Sequence, residues 1–408
     1  MEVNMIKRIS ILVGIFACAT FAWMILAGVM TARTSHQDRK LRHSVGKLWG
    51  TPQTQMAPEL YYKTKIPIEE SEIREGKSVT IKKSKCVRHG LPLTASDVNV
   101  GIRLKHRKKG LLWYATYRVQ FTGAYTIQNT TGEDRDMWFS YKFPSRKALY
   151  DNFRFEVDGK EIKDIEPTAQ EITHRIFMKA GEKRTVSVSY NSQGLDQWWY
   201  KLGESVSRVR NFRLGLITNF DDINFPENSV SPTSKTKTAT GWLLNWNYEN
   251  LISDVQLGME MPQKLNPGPF VAKVTFFAPV SLFFFLFLMF IITTVRGIKI
   301  HPMNYFFIVS AFFSFHLLLS YLVDHISVHV AFTICSLVSI FLVISYMRLV
   351  VGLKFAFIEI GLSQLVFLVL FSYCFFFEGF TGLVITIALI ITLFTVMQFT
   401  GRVKWEEM

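Results

Sequence analysis

Acidic residues and cysteines are both scarce in this 408-residue chain, and each shortage removes a class of explanation. Asp and Glu number 32 against 46 Lys and Arg, which leaves a formal charge of +14. An anionic partner such as lipid head groups or wall polymer fits that balance, as does a basic soluble face with no partner. Of the four cysteines, Cys18, Cys335 and Cys374 fall in apolar stretches and Cys86 stands alone in the polar part. No disulfide can form inside that part, so packing alone must hold its core. Signatures of soluble enzymes are missing too. There is no phosphate-cradling glycine loop, no HExxH and no Gly-x-Ser-x-Gly. His36, His43, His89, His106 and His174 stand apart without ligand spacing, so no catalytic residue, metal or cofactor is expected.

Long apolar runs are what the chain does have. Residues 9–30 carry no charge, follow Lys7 and Arg8, and are about the length that crosses a bilayer. They are too long for a cleavable signal h-region, which predicts an uncleaved anchor. Five more runs follow at about 274–295, 304–323, 327–347, 355–377 and 380–400. With residues 1–8 in the cytoplasm, Arg296/Lys299, Arg348/Lys354 and Arg402/Lys404 of the tail 402–408 fall on the same side, while Asp324 and Glu378 fall opposite. Residues 31–272 are then periplasmic. A cationic stretch from Arg33 to Lys47 lies just beyond the first span, which long translocated domains tolerate. Pro302 suits a helix first turn, and Pro279 implies a kink or a late helix start.

The polar span has 37 basic and 26 acidic residues, about +11 net, and alternates like a sheet protein. Ala115, Tyr117, Val119 and Phe121 alternate with polar residues; so do Met137, Phe139, Tyr141 and Phe143, then Phe153, Phe155 and Val157 before Asp158-Gly159. Val186, Val188 and Tyr190 repeat the pattern, and Val255, Leu257, Met259 and Met261 close it. A sandwich of two antiparallel sheets is expected. Leu41, Val45 and Leu48 have helical spacing, so residues 31–48 are either a continuation of the first helix as a stalk or a solvated linker. The basic runs 82–88 and 105–109 read as solvated loops or as lipid or wall contacts. Nucleic acid is not expected there, because no base-reading module accompanies them.

Polar groups inside an apolar span are the sharper signals, since each needs a partner in hydrocarbon. His316 lies deep in the third span, and Asp324, His325 and His329 gather near its outer end. His325 and His329 would share a face only if the helix continued through the connector; capping and interfacial hydrogen bonding are the plainer roles. Glu359 could pair with Lys354 or with a polar group on another helix.

Several segments together resemble a known family. They are Asn266-Pro267-Gly268-Pro269 with Phe277-Ala278-Pro279, His301-Pro302-Met303-Asn304-Tyr305 followed by Asp324-His325, and upstream Trp49-Gly50 with Pro52-Gln53. The likeness is to the CreD inner-membrane proteins, also described as cell-envelope integrity or colicin-tolerance proteins. It is closest over 212–346. Asp324 stands where the family commonly has Glu, and Asn304 where Gln is expected. The resemblance implies a bacterial inner-membrane protein tied to envelope integrity and envelope stress, without accepted catalytic residues. The full expectation is a membrane protein with one N-terminal transmembrane helix, a periplasmic all-β, sandwich-like domain and a five-helix bundle over 273–401. Its expected role is non-enzymatic, with membrane lipids and an anionic envelope polymer or envelope protein as partners. The alternative is a small-solute or ion-coupled transporter using His316, Asp324, His325 and His329.

Overall fold

A computed structural model describes residues 2–74, 77–165, 168, 170–202, 209–227, 229–251, 256–377 and 379–401. Val255, Glu378 and the tail with Arg402 and Lys404 lie outside the described residues. Two compact units emerge, one of Met1–Lys40 with Leu265–Met408 and the other of Leu41–Lys264.

The first unit is helical. Its elements are α1 (Glu2–Trp49, whose last turns belong to the second unit), α2 (Pro267–Val295), α3 (Pro302–Leu322), α4 (Val328–Val351), α5 (Leu353–Phe376) and α6 (Thr381–Thr400). All six are long and apolar enough to cross a membrane, one before the β-rich part and five after it. The chain is therefore a multi-pass membrane protein.

Local chemistry explains the helix ends. Asn266 precedes α2, with prolines in its first turn, where a missing N–H costs nothing. The helix thus begins well before the apolar run and passes through Pro279, so a late start is ruled out. Gly297, with φ +64°, ends it, as the Ile298 amide donates to the Thr293 carbonyl. Gly268 has a packing reason as well: a Cβ there would sit 2.4 Å from Thr34 Oγ1 of α1. Trp23 anchors α1 farther along. It is fully buried, edge-on to Phe312, Phe313 and His316 at 5.3–6.1 Å.

The second unit is β-rich. Its strands are β1 (Gln53–Met56), β2 (Glu59–Arg74), β3 (Lys77–Leu91), β4 (Ala95–Lys109), β5 (Leu112–Gln128), β6 (Arg135–Lys142), β7 (Tyr150–Val157), β8 (Lys160–Glu161), β9 (Glu171–Met178), β10 (Lys183–Leu195), β11 (Gln197–Lys201), β12 (Val209–Thr218), β13 (Ser234–Lys237), β14 (Trp242–Leu251) and β15 (Gln256–Glu260). An eight-stranded sheet in the order β13-β14-β12-β4-β5-β10-β7-β8 and a four-stranded sheet β3-β2-β6-β9 enclose one core with the small sheet β1-β11-β15. Tyr117, Val119 and Phe121 of β5 and Met137, Phe139 and Tyr141 of β6 point inward, as their alternation predicts.

The pairing differs from two antiparallel sheets in two respects. A third sheet is present, and β1 runs parallel to β11 as β4 does to β12. Alternation sets which face is buried, but leaves open which strand lies alongside and in which direction. The basic runs also differ from expectation: 82–88 lies within β3 and 105–109 within β4, so neither is a loop.

Candidate functional site

The Trp49-Gly50 motif marks the end of α1 within the β-rich unit. From Leu41 to Trp49 the helix has its own small apolar cluster, in which Leu41 and Val45 pack with Leu112, Tyr114 and Leu195. The stalk reading is thus the one observed, with Trp49 in the place expected for Leu48, whose side chain is 73% exposed. Arg107 lies over the Trp49 ring at 3.4 Å and Arg118 at 5.9 Å. Gly50 then turns the chain with φ +111°, its amide donating to Gly46 O. A Cβ at Gly50 would lie 2.2 Å from Gln193 O, so the motif needs glycine for conformation and for clearance.

Pro52 leads into β1, where two glutamines are completely buried. Gln53 Nε2 donates to Ser192 Oγ at 2.7 Å and to Gln193 O at 2.9 Å. Gln55 Nε2 donates to Met56 O and Lys142 O, and its Oε1 accepts from the Tyr190 hydroxyl at 2.9 Å. These bonds tie β1 to β10 and β6 and satisfy both side-chain NH2 groups and the Gln55 oxygen, leaving Gln53 Oε1 without a partner. Beside the motif, Arg42 is ion-paired with Asp196, a left-handed residue with φ +64°, whose Oδ1 also accepts from Gln263 Nε2 at 3.2 Å. A groove of about 210 Å³ opens here, lined by Arg42, His43, Lys47, Thr51, Lys147 and Asp196, among others.

In the helical unit the four residues singled out by polarity occupy separate surroundings. His316 is fully buried between Trp23, Phe312 and Phe315, and neither ring nitrogen has a hydrogen-bond partner with regular geometry. Asp324 accepts from Arg33 of α1 at 2.5 Å. His325 is exposed in the connector after α3, and His329, exposed in the first turn of α4, stacks on Phe376 at 4.7 Å. Among the described residues no three His, Cys, Asp or Glu side chains are placed to hold a metal together.

At the opposite end of α3 the polar groups do pair. His301 caps α3 through Nδ1, accepting from the Met303 amide at 3.3 Å, and Pro302 fills the first helical position. The Tyr305 hydroxyl meets Thr293 Oγ1 at 3.3 Å, and Tyr346 donates to Asn304 Oδ1 at 2.8 Å. Glu359 is bound by Arg296 at 2.6 Å, across helices and not by Lys354. These residues join α2, α3, α4 and α5 by bonds that hydrocarbon makes obligatory.

Residues 216–406 match the family model of inner membrane protein CreD. The CreD match covers β13, β14, β15 and all five C-terminal helices, including His301, Pro302 and Tyr305, while Trp49, Gly50, Pro52 and Gln53 precede it. No curated protein matches the chain. Among solved structures, one described as a "putative nutrient binding protein" from Legionella pneumophila covers 48% of this chain and 74% of that one, at 10% identity and a TM-score of 0.32. An M1 zinc metallopeptidase from Deinococcus radiodurans covers 38% of each chain at 9% identity and a TM-score of 0.21. At such scores neither carries an argument.

Two polar residues within the CreD match escaped the reading of the sequence. Gln364, fully buried in α5, donates to Ser339 Oγ of α4 at 2.8 Å, and Ser339 donates on to Ala311 O of α3 at 2.7 Å. Gln364 lies between two π-helical segments, Ala356–Gly361 and Leu365–Leu370, and its Oε1 has no partner. An amide in an otherwise apolar run was the available signal.

Proposed function

We propose that this CreD-family chain is a non-enzymatic inner-membrane protein that supports envelope integrity or the envelope-stress response. Its β-rich unit lies in the periplasm and engages an anionic envelope component or an envelope protein there. The observation that carries the reading is a set of cations held over aromatic rings on the surface of that unit. Lys63 lies over Trp138 at 3.7 Å, Arg88 over Tyr61 at 4.9 Å and Lys264 over Trp113 at 4.5 Å. Such rings orient the cations while leaving their outward charge to a partner. Covalent membrane tethers before and after the unit would confine its search to the envelope near the bilayer. The cationic connectors with Arg296/Lys299 and Arg348/Lys354 support this orientation.

The test is photo-crosslinking in intact cells from positions beside Lys63 and Lys264, with alkaline phosphatase fused after Trp113 to report the compartment. An active fusion and adducts to lipid, wall material or an envelope protein are expected. A fusion that is made but has no phosphatase activity would overturn the reading.

A second reading, small-solute or ion-coupled transport, draws on α5. Its π-helical segments, a geometry frequent at functional sites, flank a buried amide with an unpartnered oxygen. Solute or proton flux in proteoliposomes that Gln364→Leu abolishes would favour it; absence of flux would remove it.

A further inference from the structure

The groove beside the Trp49-Gly50 motif carries more positive charge than its own fold uses. Its one carboxylate, Asp196, is engaged by Arg42 and by the Gln263 amide. Lys47 and Lys147 line the same groove, are exposed, and have no carboxylate within ion-pair distance among the described residues. His43 adds a ring with donor capacity, and the Thr51 hydroxyl, 2.6 Å from Ser145 Oγ, adds another. Lys47 has a structural reason to be present, since it occupies the last turn of α1, where the carbonyl end of the helix favours a cation. Lys147 has none, because it comes from the segment after β6. Two ammonium groups from distant parts of the chain, with the only acid neutralised, leave a small concave site with an uncompensated positive field.

We propose that this groove binds the phosphoryl group of an envelope anion. A phosphoryl group offers several strong acceptor oxygens on one centre, which suits a ring of separate donors better than the planar carboxylate that a single Arg would take bidentately. The groove also accounts for the motif in a second way. Gly46 and Pro52 line it, and Gly50 and Gln53 fix the end of α1 against β10, so the motif holds Lys47 in place. This assignment rests on the reading of the β-rich unit as an anion-engaging one.

The experiment uses the full chain in nonionic detergent, titrated calorimetrically with inorganic phosphate and, separately, with a short-chain phosphatidylglycerol. The two arms distinguish a free phosphate from a lipid head group. Lys47→Ala/Lys147→Ala should weaken binding by about thirty-fold, from about fivefold per lysine, while Lys47→Arg/Lys147→Arg retains it. Lys160→Ala/Lys183→Ala removes the same charge at the far end of β10, about 40 Å from Leu195 along the strand, and should leave binding unchanged. Equal losses in both alanine pairs would show that bulk charge decides, overturning the groove but sparing the general reading. Binding that survives Lys47→Ala/Lys147→Ala would do the same. A parent chain that binds neither probe would overturn the groove, while adducts in the crosslinking test would still stand for the general reading.

Discussion

Replacing Gly50 by alanine tests whether the motif at the end of α1 is a structural lock. The residue holds φ +111°, and an added Cβ would sit 2.2 Å from the Gln193 carbonyl oxygen and 2.9 Å from its carbon. Left-handed backbone costs an alanine about 1–2 kcal/mol, and a backbone atom cannot swing aside as a side chain can, so relief of the clash adds about 1–3 kcal/mol. The expected loss is about 2–5 kcal/mol, a large share of the 5–15 kcal/mol typical of whole domains. For a unit of this size about 3 kcal/mol lowers the melting temperature by about 6–12 °C. Thermal unfolding of the full chain, followed by tryptophan fluorescence, reads it. Gly46→Ala is the control from the same helical end. There a Cβ meets only Thr51 Cγ2 at 3.5 Å, and helix propensity favours alanine by about 1 kcal/mol. A Gly50→Ala chain melting within about 2 °C of the parent would refute the reasoning, because neither strain nor clash would then exist.

Alkaline titration should show Tyr117, Tyr125, Tyr141, Tyr190 and Tyr200 ionising only as the β-rich unit unfolds. Burial raises each phenol well above its ordinary 10, so stability is complete below pH 10 and falls as pH rises beyond it; phenolate absorbance accounting for all fourteen tyrosines before loss of near-ultraviolet dichroism would contradict this. At the acid end, the Lys179 amide and then Arg184 hold the Glu182 carboxyl below its ordinary 4.5. Its contribution is present above that value and lost as pH falls through the lowered one, so Glu182→Gln should flatten the acid limb of a stability profile. In the bundle, Ser339→Ala strands the Gln364 amide without a partner and should cost about 1–3 kcal/mol. Gln364→Leu with Ser339→Ala should recover most of that in detergent melts, and an additive double variant would show that the two side chains do not communicate.

How far the fold could be read in advance depended on which physical signal each element carries. Apolar length revealed all six helices, because hydrocarbon thickness is a criterion a sequence can meet or fail by itself. It did not locate their ends. α2 starts at Pro267 because of prolines and a preceding asparagine, none of them apolar, and α1 continues to Trp49 through polar residues whose partners lie far along the chain. Period-two alternation likewise identified the inward faces of β5 and β6, yet the parallel pairing of β4 with β12 joins residues more than a hundred positions apart, such as Ser96 and Phe212. No local pattern records such a partner.

The candidate sites separate for the same reason. Grouping His316 with Asp324 overlooked helix rise: eight residues at 1.5 Å put about 12 Å between them along α3. One therefore sits among aromatic rings while the other reaches Arg33. Trp49, Gly50, Pro52 and Gln53 stood out as a motif, but their meaning lay in what they touch. Gly50 answers to a carbonyl on β10, Gln53 to Ser192, and Trp49 to Arg107 on β4. A motif with three members answering to distant strands specifies a junction, and such a junction can hold Lys47 beside Lys147 in the groove. Weakening the junction should therefore disturb the groove before it disturbs the core: Gln53→Leu, which removes both bonds to β10 while keeping side-chain volume, should reduce phosphate binding at temperatures where the dichroism of the sheets is still intact.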